Sequence, residues 1–332
     1  MCLRSDILIY GSLQVLTVFW YIMLLTPVLL LVFNRPDQTC VSFGQIKKVK
    51  PKYLFIAADG PRKDRPDDIQ KCMEVRRIVS QIDWDCTVKT LFREQNRGCG
   101  HGPAEAISWF FAQVEQGIVL EDDCVADVSF FSFCEELLDR FKHDQRVSMI
   151  GGTNPVIQWK QNKHSYLVSN MGFSWGWASW RRAWQDFDYT ASIWFTPEAS
   201  NRVKAQFNNP QFFNHFQLEF DHYFSEVRSD VWDFQWLFCR LNKRSYTLLP
   251  SVNLIANIGF DQESTHTFHV ESNIAFLKTQ ALNFPLKHPP FKVDRLFDWY
   301  VFERFVNPQY RPLWKKVILK IIKKILTNQI KA

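Results

Sequence analysis

The chain lacks most of the features by which sequences usually declare their chemistry. Its eight cysteines include no CxxC pair and no regular spacing. That argues against a disulfide framework and a thiolate zinc site, and for free thiols in a reducing compartment. Cys134 and Cys239 lie in apolar stretches, as small buried hydrophobes do. There is no internal repeat, no low-complexity tract and no long linker, so solenoids and disordered scaffolds are excluded. No small-residue cleavage site precedes Pro27, which argues against a signal peptide. The stretch FNRPDQT, residues 33–39, contains no glycine, so the glycine-rich phosphate loop of nucleoside-triphosphate sites is missing there.

Net positive charge is also lacking outside one segment. Residues 311–332 hold Arg311, Lys315, Lys316, Lys320, Lys323, Lys324 and Lys331 and no acid. Removing those seven charges from the formal +6 leaves −1 for the rest. A nucleic-acid-binding face on the main body is therefore not expected. Within RPLWKKVILKIIKKILTNQIK, Trp314, Val317, Ile318, Ile321, Ile322 and Ile325 share one face at helical spacing, with lysines on the flanks. This is the pattern of a helix lying on an anionic membrane surface; the alternative is a terminal helix docked on the core. At the other end, residues 7–25 are uncharged and long enough to cross a bilayer. Whether they anchor the chain or precede a later start stays open. A span would leave Lys47, Lys48, Lys50 and Lys52 outweighing Arg4, which puts the main body on the cytoplasmic side of the inner membrane, peripheral or single-span.

What is abundant is apolar: the chain is 46% hydrophobic and 16% aromatic, enough for a large core over 332 residues. From residue 27 strand and helix signals alternate. Strands are expected at 27–33, 53–58, 86–92 and 118–120, and helices at 37–48, 66–81 and 104–116, with a Gly-containing loop at 96–103. Further helices are expected at 210–228 and 232–241, a turn at 151–155 and a polar loop at 253–267. The reading is an α/β fold, a mixed, mainly parallel sheet flanked by helices with an aromatic-rich C-terminal half. Its parts are an apolar segment 1–26, a single domain 27–305 and a basic segment 306–332.

In such sheets ligands bind beyond the carboxyl ends of the strands. Asn34-Arg35, Asp59-Gly60 and Glu121-Asp122-Asp123 all fall at those ends. Three adjacent acids repel one another, and a hard divalent cation would neutralise them. The alternative is a solvated turn capping the helix that begins near Asp127-Val128.

LEDDC after a strand resembles the acidic metal motif of the GT-A nucleotide-sugar glycosyltransferases, in the EDD form of a Golgi N-acetylglucosaminyltransferase. PVLLLVFNRP, FIAADGP, GPAEAISWFF, SWGWASWRRAW, DVWDFQWL and NLIANIGFDQESTHT extend the similarity in order over roughly residues 27–300. Together they are similar to a bacterial surface-polysaccharide group of these enzymes. The resemblance implies a GT-A fold and transfer of a sugar from a nucleotide-diphosphate donor to a saccharide or lipid-linked acceptor, with inversion. It implies that Phe33, Asn34 and Arg35 line the base and ribose pocket and that Asp59 contacts base or ribose. Glu121 and Asp122 would lie near ribose and donor sugar, and Asp123 would hold Mn²⁺ or Mg²⁺, with His266 near the metal or diphosphate. Gly176 and Trp177 would meet the donor sugar, and Asp233 would be the catalytic base.

Each assignment has a plainer counterpart. Asp-Gly is a common turn pair, a lone histidine usually makes a structural hydrogen bond, and tryptophans are core by default. Asp233 sits in Trp232-Asp233-Phe234-Gln235-Trp236, with one acid and one extra residue relative to the Trp-Asp-Asp-Trp of the related enzyme, and Asp230 is a second candidate. Two rivals are a sugar nucleotidyltransferase and a catalytically inactive saccharide- or membrane-binding relative.

Overall fold

The structure is a computed structural model, described here for residues 23–207, 209–225, 230–260 and 277–308. Residues 1–22 of the expected apolar segment 1–26, His266, and residues 309–332 of the expected basic segment 306–332 lie outside the described residues. Among the described residues no helix is long and apolar enough to cross a membrane.

The first half winds as its apolar periodicity requires. Strand β1 (Val28–Val32) leads into helix α1 (Pro36–Val49), β2 (Tyr53–Ala58) into α2 (Asp67–Val79), and β3 (Thr87–Phe92) into α3 (Gly98–Phe111). Strand β4 (Gln116–Glu121) is followed by the short β5 (Cys124–Ala126) and by α4 (Val128–Arg140). Helix α1 opens with Pro36 at its first position and Asp37 in its first turn, and it ends with Lys47 and Lys48. That is the charge order the helix dipole favours. Asp127 caps α4, its side chain accepting from Ser129 N at 2.9 Å. The cap thus lies beyond the Glu121–Asp123 triplet, which is left to a different task.

The second half adds β6 (Val147–Gly151), β7 (Tyr166–Ser169), β8 (Trp177–Trp180) and the single turn α5 (Arg181–Trp184). Helices α6 (Pro197–Lys204), α7 (Pro210–Phe224) and α8 (Asp233–Asn242) follow, then β9 (Tyr246–Pro250), β10 (Ile255–Asn257) and α9 (Arg295–Val301). The main sheet has eight strands in the order β3-β2-β1-β4-β8-β6-β9-β7. Only β8 and β7 run against the rest, so the sheet is mixed and mainly parallel, flanked by helices as the sequence predicts.

Alternate residues of β1 divide the core. Val28, Leu30 and Val32 meet α1, α2 and α4 on one face, while Leu29 and Leu31 meet α3 on the other. A separate aromatic cluster of α6, α7, α8 and α9 covers Leu167 of β7 and Leu249 of β9. All seven described cysteines are free thiols.

Helix α3 and the short strands β5 and β10 depart from the sequence reading. Helix α3 begins at Gly98 instead of 104 and ends at Phe111, so its first turn is made from the glycines of the expected loop. Strand β10 lies inside the expected polar loop and pairs antiparallel with β5, which follows the acid triplet, with Cys124 opposite Asn257. Each strand has only three residues, too short for a period-2 signal.

The central antiparallel strand is held by tryptophan. Trp177 is 1% exposed, with its ring centroid 5.9 Å from Trp232, 5.7 Å from Trp236 and 6.0 Å from Trp184. Trp177→Ala is expected to cost about 3–5 kcal/mol of stability, read from urea unfolding followed by circular dichroism.

Candidate functional site

Parallel registry brings the predicted residues to one edge. Leu31 of β1 is level with both Ala57 of β2 and Glu121 of β4. The three chains then leave the sheet side by side as Phe33-Asn34-Arg35, Asp59-Gly60 and Glu121-Asp122-Asp123.

Arg35 dominates the electrostatics of this edge. Its guanidinium pairs with Oδ1 of Asp122 and lies 3.1 Å from Oδ2 of Asp123. Burial alone would lower its pKa, but the charges of Asp122 and Asp123 more than offset this and hold it above the usual value. Asp122 is tied down on several sides. Phe33 N donates to Oδ2 at 3.4 Å, and Ser42 Oγ donates to the Asp122 carbonyl at 2.7 Å. Burial still pushes the Asp122 carboxyl up to about 6, with Arg35 acting against it. Burial raises Glu121 well above the usual carboxylate range, reinforced by Asp123 and Asp122 and by the more distant charge of Asp233.

The loop after β10 closes this side. Ile258 N donates to the Asp123 carbonyl at 2.9 Å, and a side chain at Gly259 would collide with Asp123 and Arg35. The NLIANIG part of the polar loop therefore reaches the acids, while His266 lies outside the described residues.

The remaining predicted residues divide into two groups. Asn34 is buried, and its Nδ2 donates to Asp68 Oδ1 at 2.7 Å. Arg62 forks onto the same carboxylate at 2.6 and 3.0 Å and lies over the Phe33 ring at 5.3 Å. Asp59 is engaged by backbone, accepting from Gly60 N at 2.9 Å and from Arg97 N at 3.0 Å, and from Asn96 Nδ2 at 3.1 Å. Burial raises its pKa in spite of these donors. Gly176 and Trp177 do not face the edge as a sugar platform. Trp177 has aromatic neighbours on its ring, and Gly176, at φ +61, is packed against Ile255. Both are spent on the core.

Asp230 and Asp233 have different surroundings. Asp230 accepts from Gly100 N at 2.8 Å and from the Cys99 thiol at 3.1 Å. Asp233 opens α8, its Oδ1 accepting from Phe234 N at 3.0 Å, on the side whose charge reaches Glu121. The Asp68–Arg62–Asn34 network and the docking of Asp230 on α3 escape the sequence reading. Only Asp67-Asp68 in the first turn of α2 hinted at the former.

The described residues contain no group of three or more His, Cys, Asp or Glu side chains arranged to hold a metal ion. Asp122 is committed to Arg35 and backbone. Asp123 is 8% exposed and shares Arg35 with Asp122, while Glu121 is the most exposed acid of the three. A magnesium-type ion takes one or two carboxylates and completes its shell with phosphate and water, so a single aspartate suits that donor set.

No known protein family and no curated protein matches the chain. Among solved structures it is similar to 4-diphosphocytidyl-2C-methyl-D-erythritol synthase from Anaerococcus prevotii, with 10% identity, 72% of this chain, 94% of that chain and TM-score 0.35. It is also similar to the inositol-1-phosphate CTP transferase of T. maritima, with 7% identity, 68% and 85% of the two chains and TM-score 0.32. For HddC from Yersinia pseudotuberculosis the values are 10%, 48% and 78%, with TM-score 0.29. At this distance the likenesses assign neither reaction nor ligand.

The raised carboxyls set a pH dependence. A folded-state pKa above the unfolded 3.8 means that the folded protein binds more protons, so stability falls as pH rises through about 6. Glu121 contributes in the same direction. Melting temperature should therefore decline from about pH 4 to about pH 7, and Glu121→Gln should make the decline shallower, as differential scanning fluorimetry across buffers would show.

Proposed function

We propose that this chain is a metal-dependent glycosyltransferase that moves a sugar from a nucleotide-diphosphate donor to a saccharide or lipid-linked acceptor. One observation carries the reading: the carboxylates of Glu121, Asp122 and Asp123 gather with Arg35 at the carboxyl edge of the sheet, with the start of α8 nearby. An ordinary loop gains nothing from crowding three acids there, whereas a donor diphosphate and its cation need anchored carboxylates.

In this reading Asp233 takes the proton of the acceptor hydroxyl as its oxygen bonds to the anomeric carbon. The anomeric carbon–oxygen bond to the diphosphate breaks in the same displacement, and its electron pair leaves with the diphosphate. Asp123 would hold a Mn²⁺ or Mg²⁺ ion, which when bound neutralises charge on the leaving diphosphate. Burial, Asp123 and Asp122 raise the Glu121 pKa well above the usual carboxylate range, and in its protonated form it would donate a hydrogen bond to a sugar hydroxyl or phosphate oxygen. Arg62 over Phe33, with Asp68 behind it, forms the wall toward which a base would pack. The basic segment beyond residue 309 would keep the enzyme near membrane-bound acceptors on the cytoplasmic side.

Sugar nucleotidyl transfer is the second reading, since two of the similar structures are, by name, an enzyme making a diphosphocytidyl compound and a CTP transferase. The connection from β1 to α1 weighs against it. Phe33-Asn34-Arg35 has no glycine, and its arginine is already paired with Asp122.

A thermal-shift screen of nucleotide-diphosphate sugars with and without Mn²⁺ tests the proposal. One donor should stabilise the protein only with metal, and Asp123→Asn should abolish that shift. Asp233→Asn should keep the shift but lower transfer by about 10²–10⁴-fold. Pyrophosphate release from a nucleoside triphosphate and a sugar 1-phosphate would instead favour the second reading.

A further inference from the structure

The first turn of α3 is an unusual place for a helix to begin. GCGHGP supplies three glycines and a proline within residues 98–103, residues that ordinarily end helices. Packing explains two of the glycines. Gly98 has φ +80, and a Cβ there would run into the Asp230 carboxylate. At Gly100 a Cβ would strike the Tyr189 hydroxyl and the backbone of Asp230 and Val231. The chain before α8 thus lies directly against α3, at a distance that only residues without side chains permit.

Asp230 fastens that contact. One carboxylate oxygen accepts from Gly100 N at 2.8 Å and the other from the Cys99 thiol at 3.1 Å. Each satisfies a donor in the opening turn of α3. Two residues later Trp232 enters the buried tryptophan cluster with Trp177 and Trp184, and the next residue is Asp233. The start of α8 is therefore held at two points, by Asp230 on α3 and by Trp232 in the core.

We propose that Asp230 is a positioning residue: by locking onto Gly98–Gly100 it sets where Asp233 stands relative to the Glu121–Asp123 edge. The Asp230 carboxylate itself is engaged by Gly100 N and the Cys99 thiol. Its effect on turnover rests on the glycosyltransferase reading, whereas the contact and its hold on α8 do not.

The test uses the full-length protein with the donor identified by thermal shift, measuring nucleoside diphosphate release. Asp230→Ala should lower kcat by about 10–100-fold while leaving donor KM within about 2-fold, since a misplacement near 1 Å costs that much. Asp230→Asn, whose amide oxygen can still accept from Gly100 N, should recover kcat to within about 3-fold of the parent. Gly100→Ala should reproduce the Asp230→Ala defect. A loss confined to melting temperature, an unchanged kcat in Asp230→Ala, or an Asp230→Asn enzyme as dead as Asp233→Asn would overturn the assignment. The last outcome would make Asp230 the proton acceptor.

Hydrogen exchange gives a readout independent of turnover. Amides of Gly100 and of residues 232–236 should exchange at least about 5-fold faster in Asp230→Ala than in the parent. Unchanged exchange would sink the positioning role. No turnover of any donor by the parent, with exchange altered as expected, would sink the transferase reading and leave the contact standing.

Discussion

Everything at the carboxyl edge of this sheet depends on how Arg35 is shared between Asp122 and Asp123. Three acids at the end of a buried strand are electrostatically unfavourable, and desolvation makes them more so. One guanidinium, itself mostly buried, answers two of them. The third, Glu121, is left with a pKa raised well above the usual range. Removing one partner of such a pair leaves an uncompensated buried charge, which ordinarily costs several kcal/mol. The shared pair also fixes geometry. It ties the loop after β1 to the turn after β4, and through Ile258 and Gly259 it receives the loop after β10. Separate segments of sequence therefore converge on one cluster of charge.

The rest of the fold serves to aim those segments. Parallel pairing of β1 with β2 and β4 sets their ends level. The antiparallel β8 then turns the sheet over to its aromatic half, where the tryptophans of β8, α5 and α8 pack together. Helix α8 begins from that cluster, so the position of Asp233 is inherited from core packing and from the hold of Asp230 on α3. A polar edge assembled from strand ends and one helix start can be rigid because its supports are apolar and close-packed.

Much of this was legible before any coordinates. Apolar runs bounded by Asn-Arg-Pro, Asp-Gly-Pro and Glu-Asp-Asp marked β1, β2 and β4, and the rule that ligands gather beyond parallel strand ends marked their shared edge as the candidate site. The start of α3 was not legible, because its glycines answer to Asp230 and Tyr189, about 90 or more residues away in sequence. The three-residue strands β5 and β10 carry no periodicity of their own, and Trp177 reads equally well as a stacking platform or a core residue. Asn34 and Asp59 lie at the expected strand ends, but their partners, Asp68 for the one and the Asn96 side chain and Arg97 backbone for the other, emerge only from the tertiary structure. Local pattern specifies elements; which polar groups pair is a property of their packing.

The central claim is that the acid edge is the seat of a nucleotide diphosphate and its cation. It is tested most directly by a crystal structure of the protein with a nucleoside diphosphate and Mn²⁺, collected at a wavelength where manganese scatters anomalously. The account predicts an anomalous peak in contact with the Asp123 carboxylate, with the diphosphate beside it and the base toward Phe33 and Arg62. A nucleotide bound elsewhere, or manganese bound away from Asp123, would contradict it.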